Sequence, residues 1–358
     1  MRHATGPATS PLRVEVTRGV FVESGHLVTW VLTDTDGAVL AAAGDPDTLV
    51  PPRSAMKSLQ AFALVAEGAA DAHGVADHEL ALACASHSGE DGHVEAVGAW
   101  LERLGLGPDD LGCGPAWPLD ADAARRLAAR GGGPTRVHHN CSGKHAGFLT
   151  LARHLGVSPR GYLDPDHPVQ QRVLATVADL TGAAVDRGPV AVDGCGAPVV
   201  ALPLRALARG VARLAAAGPD EPGRRLVDAM VAHPWYVAGT GRLDTRLLVA
   251  LDGAGFTKVG AEGNMVAGLD DGTALALKVH DGAGRAAGVA LVHLLVALGR
   301  LDPGTVIDAP ERGTGDAVTV ADLVQAPVTN AAGDVVGVVR VAAQAAERMA
   351  AATSPHRS

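Results

Sequence analysis

Apolar and polar residues follow two different periods along this chain. Around residues 12–42, β-branched and polar residues alternate on either side of Asp36-Gly37, the pattern of two strands joined by a tight turn. Pro51-Pro52 ends that extended run. From 54 to 68 the positions Met56, Leu59, Phe62, Ala63 and Ala66 recur at the spacing of one helix face. Helices are also expected over 77–84, 94–104, 121–129, 144–155 and 168–180, with Gly- and Pro-rich loops between them. From residue 188 the character changes. Val190-Ala191-Val192 reads as a short buried strand, followed by helices near 202–215 and 221–231. Strands at 257–259 and 274–279, a long apolar helix over 285–298, and strands near 317–320 and 334–341 complete the pattern.

Strands at both ends with helices between them predict an α/β fold. Its largely antiparallel sheet, flanked by helices, comes from 12–53 and 188–345. The mainly helical part, 54–187, is inserted between these segments, and a cleft separates the two. Residues 1–11 read as a disordered leader and 346–358 as a disordered tail.

Composition narrows the function. Hydrophobic residues make up 47% of the chain but aromatics only 3%, so the core must be built from small aliphatic side chains. A net charge of −9 offers no basic stripe to displace phosphate counterions, which argues against nucleic acid. The most apolar stretch, 286–299, contains His293 and falls short of the roughly 20 residues needed to cross a bilayer, which argues against a membrane. No apolar signal region opens the chain, so the cytoplasm is the expected compartment. Cys84, Cys113, Cys141 and Cys195 show no CxxC spacing and read as reduced thiols.

Five clusters could carry chemistry. Ser54-Ala-Met-Lys57 opens a predicted helix, so both side chains share one face. A serine hydroxyl needs a base, and a desolvated lysine can serve; the bland alternative is a capping serine beside a solvated lysine. The loop from Cys84 to Glu90 holds Ser86, His87, Ser88 and Gly89, and helix capping explains it equally well. His138 to His145 is dense in polar and metal-binding groups, with Cys141 and Lys144 on one face and His145 projecting elsewhere. In Asp193-Gly-Cys195-Gly196 the glycines let backbone approach a ligand closely, though a tight turn would also need them. The stretch from His233 to Thr245 is followed by Lys258-Val-Gly260-Ala-Glu262-Gly263 and then Lys278-Val-His280-Asp281. Lys278, at the end of a strand, points either to solvent or into the cleft.

Taken in order, PxRSxxKxxQ (51–60), SHSGE (86–90), HxNCSGKHxG (138–147), DGCGxP (193–198), GTxRxDT (239–245), GAEG (260–263) and LKxxDG (277–282) resemble the Rhizobium-type, thermolabile L-asparaginases over about 12–345. The resemblance implies a serine β-lactamase-like fold and hydrolysis of L-asparagine. By that likeness Ser54 is the nucleophile and Lys57 its base, while Ser86 and Lys278 form a second serine–lysine pair across the cleft. It also implies zinc at Cys141, Lys144 and Cys195, an associated site that modulates rather than drives the reaction. Asn264-Met265 follows GAEG with no cysteine, so a fourth position is left to water or substrate. By charge type, Asp193 suits the substrate ammonium and Arg53 or Arg242 its carboxylate, with His145 beside them as a further substrate contact. A homodimer is expected. The alternatives are a β-lactamase- or peptidase-like amidohydrolase acting on cell-wall peptides, and a zinc- and thiol-dependent binding or sensor protein.

Overall fold

A computed structural model describes residues 10–185 and 189–343. The expected boundary at 188, most of the expected leader and the whole expected tail lie outside the described residues. Within them the molecule is mixed α/β, with 13 α-helices and an eight-stranded antiparallel sheet. Seven strands run in the order Ala326–Thr329, Val335–Val341, Leu12–Arg18, Phe21–Thr33, Ala274–Val279, Asn264–Leu269 and Gly255–Val259. The 13-residue strand Phe21–Thr33 pairs through its first part with Leu12–Arg18 and through its last residues with Val39–Ala43. The two chain ends therefore meet in one sheet.

Alternation along the strands divides the interior into two cores. Val31, Phe256, Val266, Ala274 and Ala276 face a core shared with the helical part. Trp30, Leu32, Met265, Ala267, Leu275 and Leu277 face a second core beneath the apolar helix Gly284–Ala297. The helix Leu204–Ala215 lies on the first face, against the strands Phe21–Thr33, Asn264–Leu269 and Ala274–Val279. Among the described residues no helix is long and apolar enough to cross a membrane.

Helices Asp77–Ala83, Asp91–Arg103, Ala121–Ala129, Ser142–His154 and Pro168–Thr181 stand close to where their spacing predicts them. Three differences matter. Val190–Val192 is a strand but not a buried one: it pairs only with Pro198–Val200, outside the main sheet, and Val192 is 77% exposed. The helix Leu243–Leu251 and the strand Asn264–Leu269 were not anticipated, although both frame the site described below. Finally, strand structure near 317–320 is confined to Val318–Thr319, because the Thr319 side chain caps a helix over Val320–Val324.

Candidate active site

Ser54 lies in a single 3-10 turn, Arg53–Met56, that runs directly into the helix Lys57–Ala66. The turn is held from the sheet side. Gly260 lies so close that a Cβ there would sit 2.7 Å from the Pro52 carbonyl oxygen and 2.9 Å from the Ala55 nitrogen. Asn264 donates from Nδ2 to the carbonyls of Pro51, at 3.3 Å, and Ala261, at 2.8 Å. Arg53 itself has φ +54°, a left-handed conformation that a non-glycine residue keeps only when its surroundings impose it. Ser54 is half-buried, and its hydroxyl makes no hydrogen bond among the described residues.

Beneath it lies a buried polar floor. Ser86 follows the helix Asp77–Ala83 and is fixed by its backbone N–H, which donates to the Val237 carbonyl at 2.9 Å. Two lysines reach its hydroxyl, Lys57 Nζ at 3.0 Å and Lys258 Nζ at 2.9 Å. Lys57 also donates to the Ala85 carbonyl. Lys258 comes from the edge strand Gly255–Val259, on the face it shares with Phe256, and lies 3.4 Å from Asp244 Oδ2. Lys57, Lys258 and Asp244 are almost wholly buried. Burial pulls the Lys258 ammonium down to about pKa 8; Asp244 opposes that shift, and Lys57 and Arg242 add to it. At neutral pH and above, this lysine can therefore accept a proton.

A second buried cluster forms where the helix Ser142–His154 begins. Lys144 Nζ lies 3.0 Å from Cys195 Sγ, and the Cys141 thiol is close to both. The neighbouring Cys195 thiol, with nearby Lys57 and Lys144, holds Cys141 well below the usual thiol range despite its burial, while Cys195 is pushed up. Burial alone would lower Lys144, but the two sulfurs and Asp193 together raise it. Two sulfurs and an amine converging in a buried pocket fit the soft donor set of zinc. Among the described residues no group of three or more His, Cys, Asp and Glu side chains could hold a metal, so Lys144 is needed to complete the set.

The clusters are linked. Arg53, next to Ser54, pairs through Nε with Asp193, two residues before Cys195. On the other side, the His87 ring, next to Ser86, is fully buried and kept neutral mainly by that burial. Ser142 donates its hydroxyl proton to the Val137 carbonyl, so His87 Nε2–H donates to Ser142 Oγ at 2.9 Å. Its Nδ1 accepts from the Gly89 N–H at 3.1 Å. Both anchors join the serine–lysine floor to the segments carrying the thiols.

Several sequence expectations need correction here. Lys278 does not meet Ser86. It pairs across the sheet with Asn264 and Thr29, two strands from Lys258, and its amine donates to the Glu262 carbonyl at the rim. Lys258 takes the place expected of Lys278. Alternation puts Lys258 on the inward face with Phe256, but it puts Lys278 on the face of Ala274 and Ala276 as well, so spacing alone does not choose between them. Asp244 likewise stands within GTxRxDT, where the motif alone gives it no role. His145, expected as a substrate contact, is fully buried, with Nδ1 2.6 Å from the Tyr162 hydroxyl, on the same helix as Lys144. Arg242 lies close enough to oppose the Lys258 charge, at the start of the helix Leu243–Leu251. The family model described as L-asparaginase II matches residues 14–341. A comparison with curated proteins finds no match.

Proposed function

The chain belongs to the L-asparaginase II family and is an L-asparaginase, an amidohydrolase acting on a small-molecule substrate, and from that premise we propose that it works through a serine acyl-enzyme. Ser54 Oγ attacks the side-chain amide carbon of L-asparagine, and its proton enters the chain Lys57–Ser86–Lys258. A proton from that chain goes to the departing nitrogen, which leaves as ammonia. Water then attacks the aspartyl ester, gives up a proton to the same chain, and releases aspartate and the Ser54 hydroxyl. The single observation carrying this reading is that two buried lysines converge on Ser86, at 3.0 and 2.9 Å, beneath a half-buried serine. An SxxK helix start with a second lysine reaching in from the sheet is also what the serine β-lactamase likeness requires.

The Arg53–Asp193 pair at the rim suits a zwitterion: Arg53 can turn to the α-carboxylate and Asp193 to the α-ammonium. Zinc, held by Cys141, Lys144 and Cys195, would supply a Lewis-acidic point for a substrate amine or a water. Those residues also fix Asp193, because Cys195 lies 3.7 Å from its carboxylate.

One observation favours a second reading, in which Ser86 attacks, since it is the serine bonded to both amines. Acid quenching during turnover, followed by peptide mass mapping, separates the two. We expect an aspartyl ester on the peptide containing Ser54, and none in Ser54→Ala, which should release no ammonia while remaining folded. An ester on Ser86 would reverse the assignment.

A further inference from the structure

The partners of Lys258 give the proton chain a direction. Its amine lies 2.9 Å from Ser86 Oγ, 2.9 Å from the Val259 carbonyl and 3.4 Å from Asp244 Oδ2. An ammonium has three hydrogens and satisfies all three partners. A neutral amine has two hydrogens and one lone pair. Carbonyl and carboxylate can only accept, so the two hydrogens go to Val259 and Asp244, and the lone pair faces Ser86, the one partner with a hydrogen to give. Lys57 meanwhile donates to the Ala85 carbonyl and to Ser86 Oγ. Ser86 then accepts from Lys57 and donates to Lys258.

We propose that Asp244 is a positioning residue that, with the Val259 carbonyl, aims the neutral Lys258 amine at Ser86 and so sets the direction in which the proton leaves the nucleophile. In the forward step a proton passes from Ser54 to Lys57 as Lys57 passes one to Ser86 and Ser86 passes one to Lys258. Lys258 ends as an ammonium, Lys57 and Ser86 regain their starting states, and Ser54 Oγ, having given up its proton, is bonded to the substrate carbon. This inference rests on the relay proposed above.

Asp244 is built for the task. Its Oδ1 accepts from Thr257 Oγ1 at 3.2 Å, and its Oδ2 also accepts from the Val259 N–H at 2.9 Å. It sits in the first turn of the helix Leu243–Leu251, where backbone N–H dipoles favour a carboxylate. The groups around the amine are Lys57, Arg242, Asp244 and the Cys84 thiol, whose pKa burial pushes up to about 12 so that it stays neutral. Asp244 is therefore the anion that keeps this lysine from losing its proton too readily to be recharged.

Asp244→Asn tests the assignment. An amide can turn a donor toward the amine, so we expect kcat to fall about 100-fold at nearly constant KM, the scale of a misplaced catalytic group. The rise of activity with pH should also move to lower pH, because the carboxylate that opposes the effect of burial on Lys258 is then gone. Unchanged kcat, or a fall in kcat with an unmoved pH profile, overturns the proposal. Should Asp244→Asn fail to fold, Thr257→Val decides: it keeps the charge, removes one anchor of the carboxylate, and should lower kcat roughly fivefold, about one neutral hydrogen bond's worth of positioning. An unchanged kcat in Thr257→Val then overturns it. Lys258→Met provides the separate check, since full activity there removes the relay itself whatever Asp244 does.

Discussion

Lys258 and Lys144 are equally buried, yet their surroundings push them in opposite directions. Lys258 faces Asp244, Lys57 and Arg242, and burial carries its pKa down to about 8. Lys144 faces Cys195, Cys141 and Asp193, and those groups together overcome the same burial and raise it. Neighbouring charge, not depth, decides which lysine gives up its proton. One is set to exchange protons with a hydroxyl. The other stays cationic between sulfurs unless a metal displaces its proton. The two clusters divide the work that the sequence presents as one string of polar motifs.

The largest test of this contrast removes the proton acceptor. Lys258→Met should lower kcat about 1000-fold, within the range for loss of a positioned general base. In the unaltered enzyme the acting form of Lys258 is the neutral amine. Activity should therefore climb as pH rises through about 8 and level off above it. The same depressed pKa disfavours the charged form in the folded state. Its stability cost is fully present below about pH 8 and is relieved as pH rises from there toward the ordinary lysine value of 10.5. A kcat/KM profile flat between pH 6 and 9 would show that Lys258 is not the group that titrates.

At the thiol cluster the effect should be smaller and of another kind. Cys141→Ser, or chelation of zinc, should raise KM about tenfold, roughly 1.4 kcal/mol of uniform binding, and leave kcat within about twofold. The zinc content of purified protein and its loss in Cys141→Ser check the donor assignment independently. If stripping the metal instead removes turnover at saturating asparagine, the division between the two lysines fails and the ion is part of the chemistry.

How much was legible in the sequence follows from what each residue needs. Ser54, Lys57 and Ser86 stood in local motifs, and Cys141, Lys144 and Cys195 had recognisable chemistry within short turns. A helix with a clear apolar stripe, such as Pro168–Thr181 with Val169, Val173, Val177 and Leu180 buried, could be read from spacing. The fourth member of the serine–lysine floor could not be chosen by charge type, because the two lysines lie on strands that flank the same middle strand and only the pairing of Lys258 with Val266, against Lys278 with Asn264, separates them. That register is long-range information. The burial of His145 depends on Tyr162 in a later loop, and the exposure of Val190–Val192 on the lack of a sheet to cover it. Neither is written in the local pattern.

The smallest predicted effect concerns the lysine that register moved out of the site. Lys278 donates to the carbonyl of Glu262, a residue held at φ +58° in the turn that brings Gly260 against Pro52 and Ala55. Its contribution is one hydrogen bond at a partly exposed position, where water can replace the lost donor. Lys278→Met should therefore cost about 1 kcal/mol of stability or less. It should lower kcat only about two- to threefold, through slight loosening of the turn that grips Ser54. The pH profile should stay where it is, because Lys258 keeps all its partners. Thermal unfolding, kcat and the pH profile together measure this. A loss approaching that of Lys258→Met, or a displaced pH profile, would return Lys278 to the proton chain and overturn the assignment of that role to Lys258 alone.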